Sequence, residues 1–223
     1  MSARMHFDEQ LEQLNSDLLY MGSLIERALK GAAIALSGND RRKATRVIES
    51  DDLINRMERD IETLCLRLLL QQQPVARDLR IISAALKMIT DMERIGDQAG
   101  DICEIVLDAA DVGRTLTLGD NDKLLALADA TTVMVNGAID AFVEHNEDYA
   151  REVIAKDSQI NALFAAVRSE LIELIRKDED ASELAIDRLM VAKYFERIGD
   201  HAQNIAEWVE YSLTGYYKGE LLA

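Results

Sequence analysis

Apolar residues recur along almost the whole chain at three- and four-residue spacings, with charged positions between them, which is the pattern of a helix that buries one face. Turn-forming residues interrupt it at Ser37-Gly38-Asn39-Asp40, Gln71-Gln72-Gln73-Pro74, Asp111-Val112-Gly113, His145-Asn146-Glu147 and Lys177-Asp178-Glu179-Asp180. The segments between them number six and run to roughly 30 residues each, about 45 Å apiece as α-helix. No alternating strand pattern competes with them, and Tyr216-Tyr217 reads as an anchor at the end of the last helix.

The pentapeptide Glu-Arg-Ile-Gly-Asp occurs in the third segment, at 93–97, and again in the sixth, at 196–200, an offset of 103 residues. Flanking positions follow: Leu86 matches Leu189, Ala99 matches Ala202 and Ile102 matches Ile205. Upstream the offset becomes 106, where Val47, Asp51, Ile54 and Asn55 meet Val153, Asp157, Ile160 and Asn161, and the difference falls in the turn around Pro74. Three helices therefore form one repeat, and the chain is a duplication. The expected architecture is all-α, six long helices as two tandem antiparallel three-helix bundles related by an approximate two-fold, with residues 1–112 in the first repeat and 113–223 in the second.

At about 100° per residue, Glu93, Asp97 and Glu104 lie along one edge of the apolar sector of the third helix, in line with Leu79 and Leu86, and Asp101 lies slightly further out. Glu196, Asp200 and Glu207 repeat the arrangement in the sixth, with Asn204 in place of Asp101. Carboxylates one turn apart repel, and a mid-helix glycine costs about 0.5–1 kcal/mol against alanine, so packing alone gives little reason to repeat both features. A row of acidic oxygens at a helix border needs compensation by Arg or Lys, by water or by a cation. Hard or borderline cations, Mg²⁺, Mn²⁺, Fe or Zn²⁺, suit such donors, and several carboxylates together can bridge more than one ion. Glu93, Asp97, Glu196 and Asp200 are the primary candidates, and Asp101, Asn204, Glu104 and Glu207 are further ones. The competing reading is a solvated face on which Arg94 balances Glu93 and Asp97, with Gly96 and Gly199 kept for close packing. Asp51 with Asn55 and Asp157 with Asn161 offer another oxygen pair one turn apart, although sequence alone favours capping or solvent-facing roles for Asp51 and Asp157.

A formal charge of −16 argues against nucleic-acid binding, which needs clustered Lys and Arg, and suits a cation partner. Cys65 and Cys103 lie among apolar residues without a CxxC partner, as expected in a reducing cytoplasm. With neither an export signal nor a run of 18 apolar residues, the expectation is a protein that is neither exported nor inserted in a membrane. No P-loop, GxGxxG, GxSxG or HExxH motif is present, which sets those chemistries aside. His201, beside Asp200, reads as a surface or packing histidine.

The two Glu-Arg-Ile-Gly-Asp segments, Pro74-Val75-Ala76-Arg77-Asp78-Leu79-Arg80 and the Asp-x-x-Ile-Asn segments at 51–55 and 157–161 together resemble the PhoU family of phosphate-uptake regulators over nearly the whole length. The resemblance implies metal ions, in some members multinuclear clusters, on an E(D)xxxD motif in each half, here Glu93 with Asp97 and Glu196 with Asp200. It implies a negative regulator of the phosphate-starvation response, cytoplasmic and peripheral to the inner face of the membrane through its partners. Those partners would be the ATPase subunit of a phosphate ABC transporter and a sensor histidine kinase, and a homodimer is the expected assembly. Two alternatives stay open, a metal-free structural adaptor and a di-metal carboxylate enzyme of the ferritin-like type. The latter needs Glu-x-x-His pairs, and none of His6, His145 and His201 follows a Glu by three positions.

Overall fold

A computed structural model describes residues 3–72, 74, 77–116 and 122–222. Its helices are α1 (Ala3–Gly38), α2 (Arg41–Gln72), α3 (Arg77–Asp111), α4 (Asp122–Glu144), α5 (Glu147–Lys177) and α6 (Ser182–Thr214), with a short 3₁₀ turn at Glu179–Ala181. They form two antiparallel three-helix bundles, α1–α3 and α4–α6, related by an approximate two-fold. Helices α3 and α6 are central: each packs against both other helices of its own repeat and against the other.

The duplication is visible in the turns. Asn39 and His145, equivalent positions, both take left-handed backbone, at φ 48° and 50°. Each is followed by an N-cap whose side chain accepts a backbone N–H three residues on, Asp40 from Lys43 and Asn146 from Tyr149, both at 3.0 Å. It is visible in packing as well. A Cβ placed on Gly31 would come within 2.6 Å of Val47, and one on the equivalent Gly137 within 2.8 Å of Val153. Small residues at the same crossings let both pairs of helices approach closely.

Two expectations need correction. Helix α4 has 23 residues, not roughly 30: residues 114–116, past Gly113, are still outside a helix, and α4 begins at Asp122. Tyr216-Tyr217 lies beyond the last helix, in a strand: α6 ends at Thr214, Gly215 takes φ 86°, and Tyr216–Tyr217 pairs antiparallel with Glu220–Leu221 in a small hairpin. The ring of Tyr217 stacks on Trp208 at 4.0 Å, which holds the hairpin against α6. Among the described helices only α4 is long and apolar enough to cross a membrane by composition, with a mean hydropathy of 1.3, and 56% of that window is buried in the bundle. Within the Pro74–Arg80 motif, Val75 and Ala76 lie outside the described residues.

Candidate functional site

Helix crossings put the acidic residues of neighbouring helices side by side. Gly96 allows α3 to close on α2: a Cβ there would stand 2.8 Å from Ile54 Cδ1 and 3.3 Å from Asp51 Oδ1. Gly199 does the same in the second repeat, where a Cβ would stand 3.0 Å from Ile160 Cγ2. Close packing thus accounts for both glycines, and it also delivers the carboxylate of α2 to the stripe on α3. Asp51 lies well inside α2 and is half-buried, so the capping or solvent-facing reading fails for it. Asp157, in α5, likewise lies beside Glu196 and Asp200.

The first cluster comprises Asp51 and Asn55 from α2 with Glu93, Asp97 and Asp101 from α3, and Glu58 of α2 joins it. The role of Glu58 was missed in the sequence, although its seven-residue spacing from Asp51 places it on the same face. Burial first, and the repulsion of Asp97 next, raises the carboxyls of Asp51, Glu93 and Asp101 above their usual range. In the second cluster burial, then Glu196, raises Asp157 and Asp200. Some of these oxygens also lack partners. Asn55 and Asn161 donate to Oδ2 of Asp51 and Asp157, at 2.7 and 2.8 Å. The Oδ1 atoms of both aspartates and of Asn55 are buried with no hydrogen bond.

A hard cation matches this donor set, as oxygen ligands with excess negative charge and orphaned buried lone pairs. Convergence is the missing element: among the described residues, no three His, Cys, Asp or Glu side chains are grouped closely enough to form a ready-made cage. In the metal-free protein the clustered charge is a liability. A carboxyl whose pKa is higher folded than unfolded binds more protons in the native state, so its contribution to stability declines as pH rises through the window just above the ordinary carboxylate range. Without metal, the urea midpoint is therefore expected to fall as pH rises from about 4, the ordinary carboxylate value, through the raised range of these carboxyls, and Asp51→Asn to flatten that fall. A midpoint that climbs with pH over this interval would contradict it.

The halves are not equivalent. Arg94 is the cation nearest the first stripe, about half exposed, 3.4 Å from Glu93 and 3.1 Å from Asp97. In the second, Lys193 ion-pairs with Glu196, whose side chain is 12% exposed, while its ammonium lies 5.4 Å over the ring of Phe164. The matching positions in the first repeat are Thr90 and Glu58. With Asn204 also standing in place of Asp101, the second cluster has two carboxylates fewer and one ammonium more.

Several sequence candidates have hydrogen-bond or ion-pair partners of their own. Asn204 donates to Asp91 of α3 at 3.1 Å, and His201 Nδ1 lies 2.8 Å from the same Asp91 oxygen. Asp101 is hydrogen-bonded to Tyr194, the residue equivalent to Asp91. The two-fold therefore generates paired ties between α3 and α6, and Asp101 and Asn204 belong to them. Glu207 is 5% exposed, with Lys218 Nζ of the hairpin 3.1 Å from Oε2 and Gln203 donating to Oε1 at 3.3 Å. Glu104 and Asn161 are exposed. Asp91→Ala would strip two donors of their acceptor at the joint between repeats and is expected to lower stability by about 1–3 kcal/mol in urea denaturation. An unchanged midpoint would show that the tie contributes nothing.

Comparison with known proteins agrees with this architecture. The PhoU domain family model matches residues 18–106 and 124–209. The PhoU homolog of the phosphate-specific transport system of Clostridium acetobutylicum is 35% identical over 214 residues, covering 94% of each chain. The phosphate-specific transport system accessory protein PhoU of Escherichia coli is 31% identical over 209 residues, 94% of this chain and 86% of its own. The crystal structure of PhoU from Pseudomonas aeruginosa superposes with a TM-score of 0.89 at 34% identity, over 94% of this chain and all of the other. The phosphate transport system regulatory protein PhoU from Streptococcus pneumoniae gives 0.86 at 28% identity, over 97% and 99%.

Proposed function

This chain belongs to the PhoU family of phosphate-transport accessory proteins, and from that premise we propose that it is a negative regulator of phosphate uptake and of the phosphate-starvation response. In this reading it is a cytoplasmic adaptor, working as a homodimer and not an enzyme, that links the ATPase subunit of a phosphate ABC transporter to a sensor histidine kinase. The observation that carries the adaptor reading is the acidic edge beside each central helix, on a chain of net charge −16 that offers no catalytic motif. Such an edge attracts a basic partner surface over distance and fixes the orientation of docking.

We further propose that Asp51, Glu93 and Asp97, with Asp101 at their margin, hold a divalent or trivalent cation, and that Asp157, Glu196 and Asp200 hold one less firmly. Bound metal would supply the positive charge the buried oxygens lack and give the docking face a definite shape. The orphaned oxygens of Asp51, Asn55 and Asp157 support this reading. In the host, deletion of the gene is expected to raise phosphate-starvation gene expression in phosphate-rich medium, and restoring the chain to lower it again. Expression unmoved by deletion would remove the regulator assignment.

A further inference from the structure

At the end of the molecule where α1 and α3 begin and α4 and α6 finish, a cavity of about 260 Å³ opens between the repeats. Its lining includes Leu14, Leu18, Ala84 and Met88, none more than 2% exposed, so it reaches side chains of the core. Exposed Arg77, His145 and Glu12 stand among the lining residues and form its mouth. Arg77 has no ion-pair partner among the described residues. His145 is held by two features: the left-handed turn that ends α4, and an edge-on contact with the ring of Phe142 at 6.2 Å.

The duplication supplies an internal control. The residue equivalent to Ala84 is Asp187, at the other end of the bundle, and its carboxylate takes the guanidinium of Arg114 at 3.0 Å. There an ion pair occupies the position; at the Ala84 end a methyl group borders open space. Arg77 has Asp180 as its equivalent, so the lone cation is also specific to this end.

We propose that this cavity is a binding site for a small amphipathic carboxylate, whose hydrocarbon portion lies against the apolar walls and whose head meets Arg77 and His145. The volume lies below the roughly 300–1,000 Å³ of drug-sized sites, which calls for a short chain. A guanidinium fork takes a carboxylate through two parallel hydrogen bonds. Glu12 at the same mouth opposes a doubly charged head, which sets inorganic phosphate apart from a monocarboxylate. The site is separate from the acidic stripes and does not depend on their binding metal.

The test is calorimetric titration of the full chain with sodium octanoate, octan-1-ol and inorganic phosphate in separate runs. Octanoate is expected to bind saturably at one site per chain, and phosphate not at all. Arg77→Met, at an exposed position, should weaken octanoate about tenfold and leave octanol unchanged. Ala84→Leu, which fills the floor, should abolish both; circular dichroism checks that it folds, and the Arg77 variant decides the matter if it does not. Absence of saturable octanoate binding, binding of phosphate as tight as octanoate, or octanoate affinity indifferent to Arg77→Met would each overturn the proposal.

Discussion

Adding a divalent cation at about one hundred times its dissociation constant is expected to stabilise the wild-type protein by about 2.7 kcal/mol, which for a chain of this size raises its melting temperature by roughly 5–10 °C. Mn²⁺ and Mg²⁺ are suitable probes, and scanning calorimetry reads the shift. Most of the rise should vanish in Glu93→Ala/Asp97→Ala and a smaller part in Glu196→Ala/Asp200→Ala. The difference follows from charge: in the second cluster Lys193 ion-pairs with Glu196, and Asn204 and Phe164 stand where the first cluster has the carboxylates of Asp101 and Glu58. The same reasoning gives the metal-free variants the opposite sign. Removing Glu93 and Asp97 relieves repulsion around Asp51, so their metal-free melting temperature should equal or exceed that of wild type. Loss of the cation response together with a gain in metal-free stability is a signature that simple damage to the fold cannot imitate. Equal losses from the two double variants would refute the asymmetry, and no cation-dependent shift in wild type would refute metal binding itself.

Phe195→Ala is expected to be the most damaging single truncation, at about 3–5 kcal/mol, because a large ring leaves a void that packed helices fill only in part. Phe195 heads the largest fully buried side chains at 0% exposure, one position before Glu196 on α6. Its carbonyl also accepts from the buried Thr131 hydroxyl of α4 at 3.2 Å. The substitution therefore loosens α6 against α4 at the level of the second acidic cluster. Urea denaturation should show the lower midpoint and, since α6 carries the contact between repeats, both halves should unfold together. A cost below about 1 kcal/mol would mean that the core closes over the void left by this fully buried ring.

The acidic stripe was legible because Glu93, Asp97, Glu196 and Asp200 are close neighbours in sequence at a spacing that helical periodicity converts directly into a shared face. The glycines were legible as anomalies but not in their purpose, since Ile54 and Ile160, the residues they make room for, belong to other helices. Asp51 misled for the same reason. Nothing local distinguishes an aspartate facing solvent from one pressed against a glycine of the next helix. The Asp91–His201 contact, between residues 110 positions apart, has no sequence signal at all. Glu207 and Asn204 share the stripe's periodicity and are nevertheless taken by Lys218 and Asp91.

What the amino-acid sequence determined by itself is everything that local chemistry and repetition control: the helices and most of their ends, the duplication, the acidic edge on each central helix and the family. Tertiary structure alone decided which second-helix carboxylate meets each edge, how the repeats are tied, and that one end of the bundle stays open where the other is filled. Periodicity specifies the face a side chain occupies on its own helix. The crossing of one helix over another, and the distances that determine charge repulsion and cavity volume, depend on close packing among residues far apart in the chain.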